Sequence, residues 1–206
     1  MCFSATASFT SAVVIGSIGL FSLAKARDKK WVWFACIPLI FALQQALEGG
    51  VWQNLGAGYA YGFLAIALII WPIWIPASLY LLEKHQNRKK WMLTLFMLGI
   101  LVALASCYSF WVYGLQVTVG RHILYTLPVL QVSSLYLQII YFAAYCLAVV
   151  GPLFLSSVKR MWLLGVTVSI GWVIANLFYA LWFVSIWCFF GALCSTIVYL
   201  IVKKRR

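Results

Sequence analysis

The string Gln44-Gln45-Ala46-Leu47-Glu48-Gly49-Gly50-Val51-Trp52 holds the side chains best suited to chemistry. The chain has only three acidic residues, and Glu48 is the one inside an apolar run long enough to cross a bilayer. An ionisable group at membrane depth is costly, so it marks a site or a specific buried partner. Residues four apart share a helix face. Gln44, Glu48 and Trp52 therefore line one stripe, with Gln45 on its flank. A carboxylate beside amides and an indole can hold a cation, a proton or a ligand amine. Gly49 and Gly50 let another chain segment come close at that level.

The elements that must carry this stripe follow from composition. Of 206 residues, 66% are hydrophobic and 9% are charged, far from a soluble domain. The apolar runs are too long and unbroken for a membrane β-barrel. The reading is an all-α polytopic protein with a single transmembrane domain over residues 1–206 and seven spans, near 6–24, 31–53, 59–82, 91–111, 128–155, 161–180 and 182–202. The N-terminus carries no basic region or cleavage motif, so the first span is expected to remain as an anchor. Pro72 and Pro76 each remove a backbone donor, which predicts a kink in the third span. Ser8, Ala12 and Gly16 form a small-residue stripe for close packing on the first.

The net charge of +12 falls in four clusters, Lys25 to Lys30, Lys84 to Lys90, Lys159-Arg160 and Lys203 to Arg206, with Arg121 alone elsewhere. That is the positive-inside pattern. It predicts an outer N-terminus, an inner C-terminus and contact with anionic membrane lipids. It argues against nucleic acid as a partner, because no basic surface carries interleaved stacking aromatics. Trp31, Trp91, Trp111, Trp162 and Trp182 fall at span ends, as an interfacial belt requires. In the outer segment 112–127, Val117-Thr118-Val119 and Ile123-Leu124-Tyr125 flank Gly120-Arg121, which predicts a small hairpin or a lid.

Glu48 lies seventeen residues past Trp31, about 25 Å along a helix, and so in the outer third of the membrane. Cys2, Ser4, Cys107, Tyr108, Arg121, His122, Tyr125, Gln131 and Asn176 reach the same depth. The expectation is an outward-facing polar pocket around Glu48, roofed by segment 112–127. The competing reading is structural: Glu48 pairs with Arg121 or hydrogen-bonds Gln and Asn side chains as glue between helices.

Three specific chemistries compete for these residues. Cys2, Glu48 and His122 could form a metal set, but only one outer histidine exists and no ligand spacing does, so no metal and no cofactor is expected. Cys2 could be an N-terminal nucleophile if Met1 is removed, with His122 as an alternative base, or it could be bridged to Cys107. The other cysteines read as packing residues. Retinal is disfavoured, since every lysine lies in an inner cluster and none in a span.

The opening Met1-Cys2-Phe3-Ser4-Ala5-Thr6-Ala7-Ser8-Phe9, the string Gln44-Gln45 with Glu48-Gly49, Val51 and Trp52, and Trp187-Cys188-Phe189-Phe190 resemble a family of bacterial multipass membrane proteins of unknown function. The resemblance implies a bacterial inner-membrane location and adds weight to Cys2, Glu48 and Trp52. It implies nothing about chemistry. A fainter likeness, in loop lengths and in the endings Leu79 to Lys84 and Val198 to Lys203, is to the three-plus-one-plus-three plan of transporters with parallel repeats.

The leading expectation is a small-molecule or ion site for transport or sensing, built from Glu48, Gln44, Gln45, Trp52, Arg121, His122, Tyr125 and Asn176. Two alternatives stand beside it. One is an outer-leaflet enzyme acting on a lipid or acyl substrate through Cys2 or a Cys2/Glu48/His122 metal centre. The other is a structural subunit of a membrane complex. The sequence does not fix the oligomeric state.

Overall fold

A computed structural model describes residues 4–126, 134–179 and 182–204, without the side chains of 179, 183–186, 188, 189 and 191–193. The fold is all-α apart from one hairpin. Helix α1 (Ala5–Lys25) is followed by α2 (Lys29–Ala35) and α3 (Ile37–Trp52). Next come α4 (Ala57–Ala65), a π segment (Ile66–Ile70) and α5 (Trp71–Leu82). Helix α6 (Gln86–Tyr113) leads into strands β1 (Gln116–Val119) and β2 (Ile123–Thr126). Helices α7 (Leu135–Leu155), α8 (Met161–Tyr179) and α9 (Phe183–Lys203) complete the chain.

Among the described residues six helical stretches are long and apolar enough to cross a membrane, with α2–α3 and α4–α5 each counted as one. Helix α9 contributes a further apolar stretch, Cys194–Lys203. The helical segments follow the expected order. Helix α6, the fourth span, starts at Gln86, ahead of the apolar run, because Gln, Arg and Lys are good helix formers and continue it beyond the apolar part.

Helices α1 and α3 run antiparallel in close contact. Phe9 lies against Gly49, Gly16 against Ala42 and Gly19 against Leu39, one register throughout. The inward stripe of α1 is Ser8, Ser11, Ile15, Gly19 and Ser22, whereas Ala12 and Gly16 are only half-buried. The second span breaks at Cys36, because Pro38 lacks the N–H that would continue the helix ladder. Trp74 caps the carbonyl of Trp33 beside that break, at 2.9 Å, and the two indoles stack at 4.5 Å.

The third span departs from a plain proline kink. Trp71 N–H reaches back five residues to the Ile66 carbonyl, and the next residue is Pro72. With no N–H at Pro72, the carbonyls of Ala67 and Leu68 lose the partners that a π or an α turn would give them. A neighbouring helix replaces one of those donors. Tyr145 on α7 donates its hydroxyl to Ala67 O at 2.6 Å, whereas the Ser106 hydroxyl on α6, 3.4 Å from Leu68 O, has the Val102 carbonyl of its own helix nearer, at 2.9 Å. Ser106 also shares a hydrogen bond with the Tyr141 hydroxyl at 2.8 Å. One turn later Pro76 frees the Pro72 carbonyl, and Gly99 of α6 packs directly on it.

The expected hairpin forms. Strands β1 and β2 are antiparallel, with Val117 opposite Tyr125 and Val119 opposite Ile123. Ile123 and Tyr125 are buried, so β2 docks into the bundle with its alternate side chains.

Candidate functional site

Helix α3 brings Gln44, Gln45 and Glu48 into the bundle interior. Gln44 and Glu48 are fully buried, and Gln45 is 1% exposed. The α1–α3 register sets Glu48 level with Thr10, between the buried hydroxyls of Ser8 and Ser11. Gln44 is fixed in place: its Oε1 accepts the Trp71 indole N–H at 2.9 Å, and Trp71 in turn packs on Phe41 at 4.2 Å. The indole is placed by the π segment, which rotates the start of α5 relative to α4.

Trp52, one turn beyond Glu48, is half-buried, and its Nε1 is enclosed with no hydrogen-bond partner among the described residues. A buried N–H without an acceptor is costly, so it calls for an explanation such as a ligand or ion.

The hairpin supplies the remaining outer residues, and they divide. Tyr125 is buried and stacks on Phe63 of α4 with ring centroids 4.8 Å apart and planes at 10°. Helix α4 packs on α3 through Tyr59 against Gly50 and Gly62 against Leu47. Through Phe63, Tyr125 therefore sits at about the level of Ala46, within a turn of Glu48 along the helix axis. His122 is half-buried, its ring 4.7 Å from that of Trp182. Arg121 is exposed at the turn and makes no ion pair among the described residues, so the expected alternative pairing with Glu48 is not formed.

Asn176 is half-buried and spends an amide hydrogen on Trp172 O of its own helix at 3.2 Å. Tyr108 and Cys107 face outward rather than into the bundle. Cys107 is a free thiol among the described residues, and the expected bridge to Cys2 falls on a residue outside them. Cys2 and Gln131 lie outside the described residues. Among the described residues no three His, Cys, Asp or Glu side chains converge.

One polar centre escaped the sequence reading. Glu83, at the opposite end of the bundle, is 4% exposed and accepts four hydrogen bonds. Its Oε1 takes the N–H groups of Lys84 and His85 at 3.0 Å and the Ser157 hydroxyl at 2.6 Å, and its Oε2 takes Ser157 N–H at 2.8 Å. Burial pushes this carboxyl up, but the hydrogen bonds from Ser157, His85 and Lys84 outweigh it and hold the group below the ordinary carboxylate value. The only signal in the sequence was a lone acid at the head of a basic loop.

No curated protein and no solved structure matches the chain. A family match extends over residues 1–206, and the chain belongs to DUF6629, a family of unknown function.

Proposed function

We propose that this protein resides in a bacterial inner membrane, N-terminus outside, and that the polar site around Glu48 binds a small molecule or ion for transport or sensing. The observation that carries the reading is the buried Trp52 indole N–H, which lacks an acceptor one turn from the fully buried Glu48. A carboxylate and an orphan donor on one helix face form a pair that a small ligand can bridge. An intramembrane acid is a functional site by default.

In this reading Glu48 receives a proton, a cation or a ligand amine, and Trp52 donates to the ligand's acceptor. Gln44, oriented by Trp71, sets the floor with Gln45. Tyr125, His122 and Arg121 belong to the hairpin roof.

The test uses purified protein in liposomes loaded with a pH-sensitive dye, with imposed proton, sodium and potassium gradients. In parallel, intrinsic tryptophan fluorescence is titrated with pH and with each cation. Glu48→Gln should abolish the response, and Trp52→Phe should remove the fluorescence change. If Glu48→Gln leaves flux and both titrations as in the wild type, the reading is wrong.

A further inference from the structure

At the basic end of the bundle, far along the helices from Glu48, lies an open bowl of about 970 Å³. That is near the upper end of the range of small-molecule sites, roughly 300–1,000 Å³. Its rim carries Lys30, Lys84, Lys89, Lys159, Arg160 and Lys204, brought from four separate parts of the chain. The positive-inside rule explains why cations gather at this end. It does not explain why they surround a concavity.

Two carboxylates, Asp28 and Glu83, line the bowl and keep their charge, but the basic side chains outnumber them, and both are engaged by backbone and hydroxyl donors. Asp28 accepts Lys30 N–H at 3.0 Å as the cap of α2. Glu83 is filled by its four donors. Among the described residues the rim cations make no ion pair, although Lys89 lies 4.8 Å from the Tyr80 ring centroid. The rim is also built rather than loose. The Glu83–Ser157 bonds pin the turn that presents Lys159 and Arg160, and Arg160 is held at φ 71, a backbone state that non-glycine residues adopt rarely. Strain of this kind persists where the surroundings enforce it, and it clusters at ligand sites. Trp31, Leu82, Val158 and Ile201 give the bowl an apolar side.

We propose that this bowl binds a phosphate-bearing anion, with Lys159 and Arg160 as its principal ligands and the apolar wall taking the adjoining carbon skeleton. Phosphate oxygens match several converging ammonium groups and a guanidinium fork. The source is either the headgroup of an anionic phospholipid or a free phosphorylated solute, and the experiment separates them.

Protein is purified in a zwitterionic detergent. Native mass spectrometry counts bound phosphatidylglycerol against phosphatidylcholine, and calorimetry measures inorganic pyrophosphate binding. The wild type should retain phosphatidylglycerol over phosphatidylcholine, or bind pyrophosphate, and Lys159→Gln with Arg160→Gln should lower that binding by about tenfold or more. The control removes two exposed cations from the same end but outside the bowl, Arg88→Gln with Lys90→Gln, and should leave binding within about twofold. If the paired bowl variant misfolds, Lys159→Gln alone carries the comparison. Loss in the phosphatidylglycerol arm alone identifies a lipid headgroup; loss in the pyrophosphate arm identifies a soluble anion. The proposal is overturned if neither probe binds, or if the control pair weakens binding as much as the bowl pair.

Discussion

Trp71 donates its indole N–H to Gln44 at 2.9 Å across the interface of α3 and α5, and both side chains are buried. A core hydrogen bond of this kind contributes little net stability while intact, but a severed one leaves a polar group stranded. Gln44→Leu should therefore lower stability by about 1–3 kcal/mol, and Trp71→Phe in the Gln44→Leu background should recover part of it. Thermal unfolding of the four proteins in one detergent checks this. Strictly additive losses would contradict it.

The hydroxyl at the π segment should behave in a related way. Tyr145→Phe strips the Ala67 carbonyl of its donor and should cost about 1–3 kcal/mol. Pro72→Ala restores a backbone N–H close by, so the cost of Tyr145→Phe should shrink in that background. A double-mutant cycle on melting temperatures reads the coupling, and zero coupling would show that the hydroxyl does not serve as the replacement donor.

Gly99 has no room for a side chain. A Cβ there would collide with the Pro72 carbonyl oxygen, which is backbone and cannot rotate away. Gly99→Ala should destabilise by about 1–3 kcal/mol through overpacking. Gly58→Ala, where nothing lies within 4 Å, should be close to neutral. Comparing the two variants by thermal shift tests whether this contact governs how α5 and α6 pack.

Glu83 predicts an acid dependence of known sign. Its carboxyl is held below the ordinary value of 4.5, so its contribution is present above that pH and is lost as pH falls through the lower, folded-state value. Limited proteolysis within residues 156–160 should therefore rise on acidification below about pH 4. Glu83→Gln should show the raised cleavage already at pH 7, with a loss of about 1–3 kcal/mol from the weakened bonds to Ser157, His85 and Lys84. Cleavage independent of both pH and the substitution would refute the role of this carboxylate as the clamp.

The helical architecture was legible because apolar run length and the spacing of basic clusters are set directly by bilayer thickness. The hairpin was legible too, since alternating β-branched residues around Gly120-Arg121 leave few other conformations. The shared face of Gln44, Glu48 and Trp52 followed from helical spacing alone. Lateral relationships did not follow. Nothing local in Trp71 or Gln44 marks them as partners 27 residues apart, and the π segment draws on a hydroxyl from another helix. Asn176 had the right depth, but its amide turned to its own backbone, an outcome common for short polar side chains in helices. Glu83 was passed over because a loop acid next to lysines usually forms a solvated pair, whereas here a distant serine enclosed it.

The cap on Ala67 has a consequence for biogenesis. The chain must be extended by 78 residues past Ala67 before Tyr145 exists to serve it. Until then the middle of the third span exposes a backbone carbonyl that lipid cannot satisfy. In the proposed membrane setting that span should stay beside water or the insertion machinery during synthesis and partition fully into the bilayer only once α7 has been made. Assembly of the central helices is thereby tied to the order of translation.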